Sequence, residues 1–295
     1  MKYKRAGRFD QIKTYTRQCF SIAKNEKQWK LLISTLLLMI IVAVVIDRGA
    51  KGVFGHYAPT EQGLFVVMCG CVWVGIFNSI QSICKERDII KKEKQTGMHI
   101  SSYIMAHVIY EFILCLAEAL IVVGVLLFAV GKNLPSKGIL TSPVIEMYIS
   151  FFLVLFAADM LALLISCIVR TTTMAMTVMP FVLIIQLVFS DAVITLSDGI
   201  RKFADLTVVK WGMQALLVIA DTKDSVINTA KDTSKQMIIN PQTNMPEFQD
   251  LDLGAKHLLP EAGNLTEAWG WLILFSVLYI ILAIIALKQV SRDKR

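Results

Sequence analysis

KERDIIKKEKQTGMHISSYIMAHVIYE, residues 85–111, is a tightly charged segment that passes through Gly97 straight into an apolar run. A second long apolar run ends just before it, at Cys84. A charge cluster held between two such runs stays at a membrane surface, where a water-soluble protein can push on it. Glu86-Arg87 stands at the membrane exit, and Glu93 follows seven residues later, two helical turns along the same face. Gly97 supplies a break, and Ser101-Ser102-Tyr103 restarts a helix with Ser as its N-cap. The segment is expected to be a short surface helix suited to transmitting force.

The rest of the 295-residue chain agrees with that placement. Apolar residues make up 55% and charged residues only 18%, too few charges to cover a soluble domain of this length. Six apolar runs stand apart: Trp29–Ile46, Leu64–Cys84, Tyr103–Val130, Val144–Val169, Thr171–Phe189 and Ala268–Leu287. Each supplies the roughly 20 residues that cross a hydrocarbon core as a helix, and lipid offers no partner for an open sheet edge. The fold class is therefore an all-α membrane protein with six transmembrane helices.

Positive charge sets the orientation. Residues 1–30 carry nine Lys and Arg against Asp10 and Glu26, and the loop at 85–94 and the tail from Lys288 add more. With six spans all of these fall on one face, read as cytoplasmic together with both termini. The net charge of +7 reads as topology and contact with anionic lipid heads, without nucleic acid as a partner. No cleavable signal peptide is expected. Cys19, Cys69, Cys71, Cys84, Cys115 and Cys167 all fall at cytoplasmic or embedded positions, so no disulfide framework is implied.

The chain divides into four parts. Residues 1–30 hold an amphipathic connecting helix (Phe9, Ile12, Thr16, Cys19, Phe20 and Ala23 on one face) lying along the cytoplasmic surface. Residues 31–189 hold spans one to five with the inner loop 85–102. Residues 190–267 are external and net acidic, and residues 268–295 are the last span and tail. Within the external part, Val208–Ala220 is apolar but only about 13 residues, too short to cross, and suits a re-entrant helix. A small external subdomain or loose loop is expected at 221–260.

Two acids lie at mid-membrane depth, Glu118 and Asp159. A charge there costs several kcal/mol, so each must be neutral, paired or wet. They form either a cargo or proton site or a structural hydrogen bond between spans three and four. His56, His99, His107 and His257 form no HExxH cluster, so no metal site is expected, nor is there a G-x-S-x-G elbow. No G-x-x-x-x-G-K-[ST] phosphate loop occurs either.

The order Glu86-Arg87, Ile90, Lys92-Glu93, Gly97, His99, Ser101-Ser102-Tyr103 and Glu111 resembles the loop of type-2 ABC transporter membrane domains, specifically the G subfamily. That family usually has Tyr where His99 stands and a Pro soon after Glu111, where this chain has Phe112-Ile113. The connecting helix, the six spans and the stretch DLTVVKWGMQAL at Asp205–Leu216 extend the resemblance over nearly the whole chain. It implies a permease subunit of an ATP-driven exporter, paired with a second membrane subunit, identical or not, in the plasma membrane. ATP and Mg would sit on a separate ATPase chain, with no cofactor on this one. Glu86, Arg87, Lys92, Glu93 and Gly97 would couple to that ATPase, with Arg17 or Lys24 as partners for Glu86 or Glu93. Spans two and five would face a central cavity, making Phe77, Asn78, Met179, Leu183 and Gln186 substrate-path residues for a hydrophobic or amphipathic cargo. The rival readings are an ion-coupled carrier and an intramembrane enzyme, both using Glu118 and Asp159.

Overall fold

In a computed structural model, residues 7–49, 53–54, 57–130, 135, 137–189, 203–220, 238–239, 246–247 and 261–290 are described. Most of the external subdomain expected at 221–260 lies outside these residues, as do His56, His257 and the tail beyond Val290. The described chain is helical: α1 Arg8–Asn25, α2 Trp29–Gly49, α3 Tyr57–Ser79, α4 Ser82–Lys85, α5 Arg87–Gln95, α6 Ile100–Val130, α7 Pro143–Ile168, α8 Thr172–Val188, α9 Val208–Ile219 and α10 Ala262–Val290. Two two-residue strands, Ile238–Ile239 and Pro246–Glu247, pair antiparallel.

Five helices (α2, α3, α6, α7 and α10) are long and apolar enough to cross a membrane. The fifth expected span differs. Its helix, α8, has 17 residues, about 26 Å at 1.5 Å per residue, somewhat short of a hydrocarbon core. The 12-residue α9 is shorter still and is buried along its whole length against α3, α7, α8 and α10.

The core sits around α7, which packs against α3, α6, α9 and α10. Small residues let the backbones approach, as they must where lipid supplies no hydrophobic drive. A Cβ on Gly75 would stand 2.6 Å from Leu155 O and 3.0 Å from Ala158 Cβ, so α3 and α7 are nearly in backbone contact there. Gly212 brings α9 equally close to Val154 and Met68. At the far end of α7 the carboxylate of Glu146, fully buried, accepts the backbone N–H groups of Ile139, Leu140 and Thr141 at 3.1, 2.6 and 2.7 Å. It ties the loop before α7 to the first turn of that helix, where a negative charge also meets the positive helix end. Nothing in the local pattern of the sequence singled this residue out.

The amphipathic helix α1 lies on α6. Ile12, Tyr15, Thr16, Cys19, Ile22 and Ala23 are half-buried there, whereas Phe9 and Phe20 stay exposed. Most of the apolar stripe expected to face lipid is therefore covered by the protein's own bundle.

Candidate functional site

The loop between α3 and α6 folds as an elbow with its own small core. Ile83, Ile90, Met98, Ile100, Tyr103 and Ile104 pack with Met160, Leu163 and Leu287. Ile90, 2% exposed, is the apolar peg that seats the charged helix α5 on the bundle.

Each end of the elbow is fastened by named hydrogen bonds. The short helix α4 has no cap from its own N-cap residue Gln81. Ser166 Oγ, from α7, accepts instead from Ile83 N and Cys84 N at 3.0 and 3.1 Å, satisfying donors that the helix itself leaves orphaned. Arg87 donates to Val169 O at 2.6 Å and Cys167 O at 3.3 Å, covering the carbonyls that the C-terminus of α7 leaves free, where a cation is also favoured. At the other end α5 closes with Gly97 at φ 106°. Gly97 N bonds Lys94 O and Met98 N bonds Glu93 O, both 3.2 Å, the paired bonds of a left-handed helix stop. The next helix begins at Ile100, so Ser101 and Ser102 lie inside its first turn and neither is its N-cap. His99 takes that position, its C=O accepting from Ser102 N and Tyr103 N. The reason is packing: burying Met98 and Ile100 in the elbow core starts the helix earlier than the serines suggest.

Helix α1 grips the elbow along its length. Gln11 donates to Gly97 O (3.4 Å) and accepts from His99 N (2.9 Å). Tyr15 stands edge-on to Tyr103, ring centroids 5.6 Å apart, and its hydroxyl meets Glu93. Burial first, then the Glu93 charge, pushes the Tyr15 phenol up to about 12. Lys85 is paired with Glu26 at 2.6 Å, and this hydrogen-bonded ammonium holds the Glu26 carboxyl below the usual range. Tyr110 donates to Gln28 at 2.6 Å. Glu86 receives the Tyr103 hydroxyl and lies 4.0 Å from His107 Nε2. Among the described residues, neither Arg17 nor Lys24 pairs with Glu86 or Glu93. Both are exposed on the outer side of α1, and the ionic contact with the elbow is Lys85–Glu26 instead. Lys92 is exposed on α5, beside Asp88, Ile89 and Lys91.

Behind the elbow, Glu118 and Asp159 serve as acceptors between helices. Glu118 accepts from Thr35 of α2 (3.2 Å) and Asn78 of α3 (2.8 Å). Asp159 of α7 accepts from Ser79 of α3 and from the Cys115 thiol of α6 (3.5 Å). Both carboxylates are fully buried, and their partners tie four spans at one level. The remaining residues proposed for a substrate path separate into two groups. Phe77 is exposed and Asn78 half-buried, whereas Met179, Leu183 and Gln186 point into this chain's own interior. Gln186 accepts Val208 N at 2.8 Å, capping α9 and thereby fixing the rotation of α8.

This is the architecture of a polytopic helical transport permease, with a charged elbow rigidly fastened to its spans. The chain belongs to the ABC-2 type transporter family, whose family model matches residues 10–220. It is also similar to the ABC transporter ATP-binding/permease protein Rv1747 of Mycobacterium tuberculosis (strain ATCC 25618 / H37Rv), at 28% identity over 170 residues. That match covers 56% of this chain and 19% of the relative, so the chain spans about a fifth of that protein's length.

Proposed function

We propose that the protein is the permease subunit of an ATP-driven exporter of the G-subfamily type, moving a hydrophobic or amphipathic cargo. The observation that carries this reading is the elbow: a nine-residue charged helix clamped to α7 by Arg87 and to α1 by Gln11. Force applied to α5 passes into α7, which lies at the centre of the bundle, without an intervening flexible link. The ATP-binding function that the mycobacterial relative carries in its name is supplied here by a separate ATPase chain, which holds ATP and Mg. The exposed side of α5, Asp88, Ile89, Lys91 and Lys92, docks on it. In this reading α8 completes six spans, α9 is a re-entrant element, α1 lies at the cytoplasmic surface, and two membrane subunits meet across a cavity in the plasma membrane. From α8 the residues available to that cavity are Phe181, Ile184 and Ile185, exposed, in place of Met179 and Leu183. The carrier and enzyme readings rest on Glu118 and Asp159, whose hydrogen bonds are already taken up in joining helices.

The test is co-purification of the full chain from native membranes, with identification of bound proteins. An ATP-binding chain is expected to accompany the protein, and Ile89→Asp with Lys92→Glu is expected to release it while leaving membrane insertion intact. Transport by the purified protein in vesicles without ATP would sink the reading.

A further inference from the structure

Three carboxyl groups converge where α3, α6 and α7 meet, and the donors around them are unequally shared. Asp159 accepts from Ser79 through Oδ1 and from the Cys115 thiol through Oδ2. Glu118 accepts from Thr35 through Oε1 and from Asn78 through Oε2. Glu111 is 2% exposed and meets one donor group among the described residues, the same Ser79 hydroxyl. Its Oε2 has no hydrogen-bond partner. Ser79 has a single hydroxyl proton, and that proton goes to Asp159. If all three groups are written as carboxylates, Glu111 is a buried anion with no donor on either oxygen. The charges that bear on it are themselves acidic, Asp159 and Glu118. The other titratable groups around it are Cys19 of α1 and His107, Tyr110 and Cys115 on α6 itself. His107 lies one turn away, but the acid that its Nε2 approaches, at 4.0 Å, is Glu86 of the elbow. A buried carboxylate without donor or counter-ion is among the costliest groups a helical bundle can hold. No set of His, Cys and acidic residues among the described ones has the arrangement to hold a metal ion there.

We propose that a proton fills this place: Glu111 is the un-ionised acid and donates its O–H to Ser79 Oγ, which passes its own proton to the Asp159 carboxylate. Glu111 Oε2 is then the carbonyl oxygen of a neutral acid, and leaving it unpartnered costs far less than leaving an anion so. The bond from Ser79 to Asp159 gains in turn, because an O–H donated to a carboxylate is of the strong, charge-assisted kind. The proton belongs on Glu111 and not on Asp159 because Asp159 has two donors and Glu111 has none to itself. A single proton thereby joins three long helices, α6 to α3 to α7. The inference rests on these side chains alone and is independent of whether the protein works with an ATPase.

The test is infrared difference spectroscopy of the full chain in lipid vesicles at about pH 7, where an ordinary Glu is ionised, comparing the unaltered chain with Glu111→Gln. The amide of Gln donates to Ser79 as the acid does, so the substitution keeps the chain of bonds. The difference is expected to show the loss of one un-ionised carboxyl C=O band per chain, a band that shifts in heavy water, with the carboxylate bands unchanged. Loss of carboxylate absorption with the acid band intact would overturn the proposal. A second measurement needs no substitution. Isotope-labelled glutamate carboxyl carbons in the unaltered chain are expected to move the acid band, and labelled aspartate carboxyl carbons to leave it in place. A chain with no un-ionised glutamate band, or an acid band that moves with the aspartate label alone, would equally overturn it.

Discussion

The carbonyl oxygen of Leu155 lies 2.6 Å from the point a Cβ on Gly75 would occupy. A backbone atom cannot swing aside, so Gly75→Ala must push α3 away from α7. The neighbours of Gly212 at 2.6 and 2.8 Å are side-chain atoms, of which the flexible Met68 can turn while the β-branched Val154 is held to one rotamer by its helix. Gly97 has nothing within 4 Å and a φ of 106°, so alanine there meets backbone strain alone. Thermal melting of the purified chain should rank the three. Gly75→Ala falls furthest, by about 1–3 kcal/mol of overpacking; Gly97→Ala loses about 1–2 kcal/mol; Gly212→Ala loses less than Gly75→Ala, since part of its crowding is the flexible Met68. A Gly75→Ala variant as stable as the unaltered chain would contradict the close approach. Gly97 was legible in the sequence because glycine after a charged helical run has one common use. The cap was not: a serine pair is the stronger local signal, and only the burial of Met98 and Ile100 moves the helix start to Ile100.

Helix α5 shows what periodicity can and cannot give at the next scale. Its charges and its short length were plain in the sequence, but the burial of Ile90 was not, and the fastening of Arg87 comes from Val169, some 80 positions distant, which no local pattern connects to it. Helix α8 makes the opposite point. It is apolar on every side, so which face turns inward was undetermined until Gln186 met Val208 N. The ionic latch between α1 and the elbow carries a pH prediction. Lys85 depresses the Glu26 carboxyl, so the pair stabilises the fold above the ordinary Glu value and loses its effect as pH falls through the lowered one. The coupling in a double-mutant cycle of Lys85→Ala and Glu26→Ala, read as melting temperature, should be present at about pH 7 and weaker at about pH 3. It should also be small, under about 1 kcal/mol, because both side chains are over 40% exposed. Equal coupling at the two pH values would exclude the latch.

Hydropathy alone made the membrane class and three of the five long helices legible to within about three residues, because uninterrupted apolar length has no other common meaning. Two features escaped it. The span before the elbow breaks at Ile80-Gln81, splitting off α4, since Ser166 holds that turn from another helix. The run at 171–189 folds as only 17 helical residues. Whether α8 crosses has a direct consequence, because three crossings separate Gln95 from Glu267 if it does and two if it does not. Single cysteines at these exposed positions, in a chain with the six native ones replaced, should be labelled by an impermeant maleimide from opposite sides of sealed vesicles. Labelling from the same side would remove α8 from the count of spans.

The bond from Ser166 to the turn at Ile83 and Cys84 also sets an order of events during synthesis. The ribosome makes the elbow 83 residues before the hydroxyl that completes it. Until the fourth long helix has been made and packed, the N–H groups of Ile83 and Cys84 lack the acceptor that holds their turn, so the elbow is finished only when most of the bundle is in place.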